Sequence, residues 1–184
     1  MSAVIDYGPL AELVGVWKGD RGIDVSPEPD GMENNPYHET ITYTAVGDVT
    51  NAGSQVLSVL NYRQIVQRKS DDAVFHDETG YWMWDPATEV IMHSLVIPRA
   101  VCVLAGGSAT AVDNGMVDLV VAASVTSDDW SIIQSPFMRD NARTTEFRQK
   151  ITVGGGRMSY SETTMVEIYG RVTEHTDGNE LIRQ

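Results

Sequence analysis

The chain has 184 residues, 42% of them hydrophobic and 21% charged, which is the composition of a globular protein and excludes wholesale disorder. Its 13 lysines and arginines against 26 aspartates and glutamates give a net charge of −13, which argues against nucleic-acid and membrane-surface partners, since both attract clustered basic side chains. The single cysteine, Cys102, excludes an internal disulfide, and no apolar stretch approaches the roughly 18 residues that span a bilayer.

The N-terminal stretch and the uniform composition bear on location and domain organisation. The opening sequence MSAVIDYGPLAELVG places no basic group before its apolar residues, so it does not have the pattern of a signal peptide. We therefore expect a cytoplasmic protein. No internal repeat or change of composition divides the chain, which predicts a single domain over residues 1–184.

A short helix is predicted first, because Pro9 suits an opening helical position and Gly15 can end the helix. Almost all of the chain after Gly15 is predicted to form strands, since β-branched and aromatic residues dominate and turn sequences recur about every ten residues. The predicted strand segments are residues 38–46, 54–67, 73–84, 89–97, 99–105, 115–125, 143–153, 157–169 and 179–184. A meander of about ten strands must close or hide its edges. The sequence therefore predicts an all-β fold, a closed antiparallel up-and-down barrel of the calycin/lipocalin type with the helix plugging one end.

Two stretches interrupt this rhythm. Residues 26–37, SPEPDGMENNPY, are acidic and rich in proline and asparagine, which predicts a loop at a barrel mouth. Residues 126–141, TSDDWSIIQSPFMRDN, are too irregular for a hairpin and are expected to form a short helix or a lid over one end.

The segment GVWKGDRG places Trp17 between two glycines where the helix gives way to the first strand. An indole there can fill the tapering end of a small barrel, with its N–H bonded and Arg183 of the last strand stacked over its ring. A barrel plugged in this way is predicted to hold one small-molecule ligand in its remaining interior. The simpler interpretation, that Trp17 is only a core aromatic residue, stays open at this stage.

Several motifs, in order along nearly the whole chain, resemble one known family. They are GxWxGxxG at residues 15–22, ETITY at 39–43, LNYRQ at 60–64, HxExGYxxW at 76–84, IPRAVCVLAGG at 97–107 and the C-terminal MSYSETTM and EHT segments. Together they are similar to nitrobindin and its relatives, the heme-binding β-barrel proteins once described as fatty-acid-binding-protein-like.

The resemblance implies a ten-stranded barrel that holds ferric heme b in a shallow, partly exposed pocket through one histidine of the last strand. It also implies an apolar distal side and chemistry with nitric oxide and peroxynitrite, so an enzyme of this kind would be a heme-dependent peroxynitrite isomerase. By this resemblance His175 is the candidate iron ligand, ten residues after the pocket methionine Met165. A register counted from Tyr160 would instead place Glu174 at the ligand position, so a one-residue insertion or a bulge is required.

The four histidines carry alternatives that the residues alone leave open. His175 sits in EHTDGNEL, which also fits a solvated hairpin turn, and His76 could either line the pocket or bond Glu78 and fix its turn. His93 is predicted to be a barrel-wall histidine, and His38 to be exposed. The apolar side chains expected to line the cavity are Met165, Met92, Tyr62 and Ile97.

Three functions follow as hypotheses. The first is a heme-binding barrel with His175 on the iron. The second is a metal-free carrier or sensor of an apolar small molecule, comparable to intracellular lipid-binding proteins. The third is an interaction module with a vestigial cavity. The sequence leaves open whether the chain forms a homodimer.

Overall fold

The computed structural model describes residues 5–184. Among these residues, eleven strands dominate and helices are short. The strands are β1 (Gly15–Glu28), β2 (Gly31–Ala52), β3 (Gln55–Arg68), β4 (Val74–Asp85), β5 (Val90–Ile97), β6 (Val101–Ala111), β7 (Val117–Ser124), β8 (Ile132–Gln134), β9 (Ala142–Gly154), β10 (Arg157–Ile168) and β11 (Arg171–Arg183). The helices are two 3₁₀ helices, Gly8–Leu13 and Asp113–Gly115, and α1 (Pro136–Asn141). No helix within residues 5–184 is long and apolar enough to cross a membrane.

The strands form one antiparallel sheet that closes on itself. Its order is β5-β4-β3-β2-β1-β11-β10-β9-β7-β6, and the pairing of β5 with β6 completes the barrel. The short strand β8 pairs with β6 outside this circuit. The prediction of a closed barrel of about ten strands is confirmed, and closure satisfies the edge strands that an open meander would expose.

The 3₁₀ helix Gly8–Leu13 plugs one end of the barrel, as predicted. Leu10 and Leu13 are fully buried, and Trp17 Nε1 donates a hydrogen bond to the Leu13 carbonyl oxygen at 2.7 Å. The guanidinium of Arg183 lies 4.8 Å from the centre of the Trp17 ring and also donates to Glu12. The stacked cation and the bonded indole join β1, β11 and the helix into one closed end.

Large side chains fill the barrel next to this plug. Trp82, Tyr62 and Leu60 are almost entirely buried, and the ring of His93 stacks on Trp82 with centroids 4.2 Å apart. The opposite end of the barrel is not filled. This asymmetry leaves the interior between β1, β4 and β10 available as a cavity.

The prediction of a loop at residues 26–37 is wrong. β1 and β2 continue as a paired hairpin to Glu28 and Gly31, with Ser26 opposite Glu33. β1 pairs with β11 only as far as Val25, so the tip is a two-stranded ribbon with free edges. Proline is tolerated there because an edge position needs no further backbone donor.

Residues 126–141 form both a strand and a helix. β8 adds to β6, and α1 follows with Ser135 as its N-cap, where Ser135 Oγ accepts a hydrogen bond from the Met138 backbone N–H. The helix places Met138 on the cavity wall. The expected short helix is therefore present.

Candidate functional site

A cavity of about 460 Å³ opens at the end of the barrel opposite the 3₁₀ plug. One part of its wall is apolar and comes mainly from β5, β6, β9 and β10: Leu95, Ile97, Val101, Val103, Phe147, Val166 and Ile168. Another part is polar and comes mainly from β1, β4, β10 and β11: Asp24, His76, Glu78, Glu162, His175 and Asp177. Such a combination of an apolar wall with a few converging polar groups is typical of a small-molecule site.

Strand alternation decides which predicted residues reach this cavity. His175, His76 and Ile97 line it, although they come from three different strands. Met165 does not, because its neighbours Thr164 and Val166 face inward and successive side chains of a strand point to opposite faces. Met165, which is expected at the cavity, therefore lies outside its lining in this structure.

Met92 and Tyr62, which are also expected at the cavity, lie outside its lining. Met92 lies between the buried Ile91 and His93 and is outside the cavity lining for the same reason of alternation. Tyr62 points inward but is packed in the filled part of the barrel, where it is 2% exposed. Its hydroxyl donates to Glu78, so Tyr62 supports a cavity-lining side chain without lining the cavity itself.

His175 forms a close pair with Asp24 across β1 and β11. His175 Nε2 lies 2.6 Å from Asp24 Oδ1. Burial opposes charge on the imidazole, but the hydrogen bond to Asp24 and the negative charges of Asp24 and Asp177 together outweigh burial and raise the pKa of His175. Burial likewise opposes charge on Asp24, and His175, Asn35 and Ser26 together lower the pKa of Asp24. The directions of both pKa shifts favour an ion pair between the two strands. His175 lies within β11, which excludes the alternative of a solvated hairpin turn.

His76 begins a second polar chain, which leads from the cavity into the core. His76 Nε2 lies 3.4 Å from Glu78 Oε2, and Glu78 is 3% exposed. Tyr62 donates to the other Glu78 oxygen, and His93 Nε2 lies 2.8 Å from the Tyr62 hydroxyl. His76 therefore lines the cavity and also lies within ion-pair distance of Glu78, in the middle of β4 and not at a turn.

Three carboxyl groups form a row across the inner face of neighbouring strands. Asp177 of β11 is directly opposite Asp24 of β1 on one side and Glu162 of β10 on the other. Burial raises the pKa of Asp177 to about 6 and holds the pKa of Glu162 well above its usual range. We call Asp24, Asp177 and Glu162 the carboxylate row. Like charges directly opposite each other destabilise a sheet, so the row needs protons or a cation.

Sequence reasoning missed the whole carboxylate row. Asp177 could have been found from His175, because residues two apart on a strand share a face. Asp24 is 151 positions from His175, and no local pattern connects them. Only the closure of β1 on β11 brings the two together.

His93 predicts a measurable dependence of stability on pH. Burial lowers the pKa of His93 to about 4, whereas the unfolded imidazole titrates near its ordinary 6.5. Between these values the unfolded chain binds more protons, so this group's contribution to stability is present above pH 6.5 and is lost as pH falls to 4. The loss should approach about 3 kcal/mol.

Denaturant unfolding of wild type and His93→Phe from pH 7 to pH 4 measures this effect. Phe keeps the stacking on Trp82 and cannot be protonated, so the difference in unfolding free energy between the two proteins should shift in favour of the variant as pH falls. A difference that stays constant across this range would contradict the assignment.

Comparison with known proteins shows the family to which the chain belongs. The model of the THAP4-like, heme-binding beta-barrel domain matches residues 6–183. The chain belongs to this family. The membership confirms the resemblance found in the motifs, and heme is the cofactor of the family.

A solved structure shows the same fold. The crystal structure of Rv2717c from M. tuberculosis superimposes with a TM-score of 0.73 at 22% sequence identity, over 97% of this chain and 99% of that one. At this identity the likeness supports the barrel and carries no residue roles. A search of curated proteins finds no match to the chain.

The residues of the cavity fit a heme in three respects. His175 offers an imidazole on the wall, and Asp24 supplies the acceptor that a metal-bound imidazole requires at its second nitrogen. The apolar wall suits the porphyrin faces. Arg68 and Arg99 lie at the exposed rim of the cavity, where they can pair with the propionate groups.

Proposed function

We propose that the chain binds one ferric heme in the barrel cavity through His175. We further propose that its function is heme-dependent chemistry with nitric oxide or peroxynitrite. The observation that carries the proposal is the imidazole of His175 on the cavity wall, held by Asp24 at 2.6 Å. A metal-bound histidine almost always donates its other ring N–H to such an acceptor. Family membership supports the same cofactor.

Each part of the cavity wall has a role in this proposal. Asp24 fixes the orientation of the His175 ring and raises its basicity as a ligand. Leu95, Val103 and Phe147 exclude water from the apolar side. When bound, the heme would supply a ferric centre for chemistry on a small ligand, and the protein's contribution would be to orient and shield it.

Titration of the purified chain with hemin tests the proposal. We expect a sharp Soret band that saturates near one heme per chain, and a heme that resists transfer to a competing apoprotein. A spectrum that stays broad and does not saturate would show that the cavity does not ligate heme. Stopped-flow mixing of the loaded protein with peroxynitrite then measures nitrate formation against the uncatalysed decay.

A second candidate is the metal-free carrier of an apolar small molecule. The cavity volume of about 460 Å³ and its apolar wall favour it. The carboxylate row opposes an anionic head group, so a fatty-acid carboxylate is a poor match and a neutral ligand a better one. Saturable binding of a neutral fluorescent lipid, with no Soret band in the hemin titration, would favour this function.

A further inference from the structure

The side chains beside the cavity include a compact set of metal-ligand types. One ligand atom from each of Asp24, His175 and Asp177 lies within 4.8 Å of the other two. All three side chains line the cavity, and they come from neighbouring positions of β1 and β11. The set therefore combines one imidazole nitrogen and two carboxylate oxygens on a wall that faces open space.

Two polar atoms on the inner face of β11 lack the partners that buried groups normally have. Asp177 Oδ1 is buried and accepts no hydrogen bond from any residue of the described chain. Thr173, which is 8% exposed and lies on the same inward face of β11, has a hydroxyl that is likewise unpartnered within residues 5–184. A buried acceptor without a donor is costly, and a bound cation removes that cost.

The charges on the neighbouring strands point the same way. The carboxylate row places Asp177 between Asp24 and Glu162, and within residues 5–184 the basic side chain that bonds to the row is His175. Arg68 and Arg99 lie at the exposed rim. A divalent ion between Asp24 and Asp177 would neutralise two adjacent carboxylates at once.

We propose that Asp24, His175 and Asp177 form a site for a bare divalent transition-metal ion such as Zn²⁺ or Mn²⁺. One imidazole with two carboxylates suits these borderline ions, and three protein ligands facing a cavity leave a coordination position open to a small molecule. The site needs no porphyrin and so does not rest on the proposed function. Because both sites use His175, a chain loaded with the bare ion is unable to ligate heme.

Calorimetric titration of chelator-treated protein with Zn²⁺ and Mn²⁺ tests the site, and Co²⁺ absorption reports the ligand field. We expect one ion per chain, with Mg²⁺ binding much more weakly. Asp177→Asn should weaken Zn²⁺ binding by more than about tenfold, because removing even a supporting group of a metal ligand costs that much. His175→Ala should abolish Zn²⁺ binding, because it removes the one imidazole ligand of the proposed site.

Glu174→Gln is the matched control. Glu174 is the exposed neighbour of His175, so the variant removes one negative charge from the same strand without touching the site. Asp24→Asn serves as a second variant with the same expected loss, and a cooperative melt verifies that each variant is folded. The proposal is overturned if wild type binds no stoichiometric Zn²⁺, or if Glu174→Gln weakens binding as much as Asp177→Asn. Failure of the hemin titration leaves this test unaffected, since no heme is present in it.

Discussion

Replacing His175 with alanine is expected to abolish specific hemin binding. Within residues 5–184, His175 is the histidine on the cavity wall that forms a hydrogen bond with Asp24. Loss of a supporting hydrogen bond to a metal ligand costs about 10–100-fold in affinity, so loss of the ligand itself should exceed about 100-fold. The Soret band should become broad and fail to saturate in the titration.

The other histidines provide graded controls for this result. His76→Ala also changes the cavity lining, yet it leaves the His175–Asp24 pair intact, so we expect a shifted band with stoichiometric binding. His38 lies on β2 outside the cavity lining, so His38→Ala should leave the hemin titration unchanged. A normal Soret band in His175→Ala, or its loss in His76→Ala alone, would assign the iron to a different residue.

The largest expected effect on stability is that of Gly80→Ala in β4. A methyl group at this position would lie 1.8 Å from the Ser94 carbonyl oxygen and 3.0 Å from the Leu95 Cα atom. Both atoms belong to the backbone of β5, so the two strands must separate to accept it. Overpacking of this kind costs about 3 kcal/mol or more. For a chain of this length the melting temperature should fall by about 10 °C.

Gly31→Ala is the matched control for this substitution. No atom lies within 4 Å of the methyl group that it would add at the start of β2, and its backbone conformation suits alanine. Thermal melts followed by circular dichroism compare the two variants with wild type. If Gly80→Ala and Gly31→Ala melt at the same temperature, the close approach of β4 and β5 does not limit stability.

The sequence predicts the barrel well because its signals are local. Turn sequences at regular spacing give the number of strands, and Trp17 with the preceding short helix gives the plug. Residues 26–37 are rich in proline and asparagine, which locally predicts a loop. In the structure they belong to a two-stranded ribbon whose free edges tolerate these residues.

The site is harder to predict because it depends on strand register. A shift of one residue exchanges the two faces of a strand, so the sequence alone does not decide whether Met165 or its neighbour Thr164 faces the cavity. Irregular pairing at Gly19–Gly22 of β1 and at Met165–Val166 of β10 moves the register in ways that the sequence does not mark. The carboxylate row depends on pairings between β1, β10 and β11 and could not be read from any one segment.

Pairing of β1 with β11 also bears on how the protein matures. β1 is the first strand of the barrel to be synthesised and β11 the last, so the barrel cannot close until β11 emerges. Until then, the edges of β1 and β10 remain available for pairing with other chains. Contacts between such distant segments form slowly. Asp24 and His175 come together only when β11 pairs with β1. The polar part of the cavity wall therefore forms in the same step that covers these two strand edges.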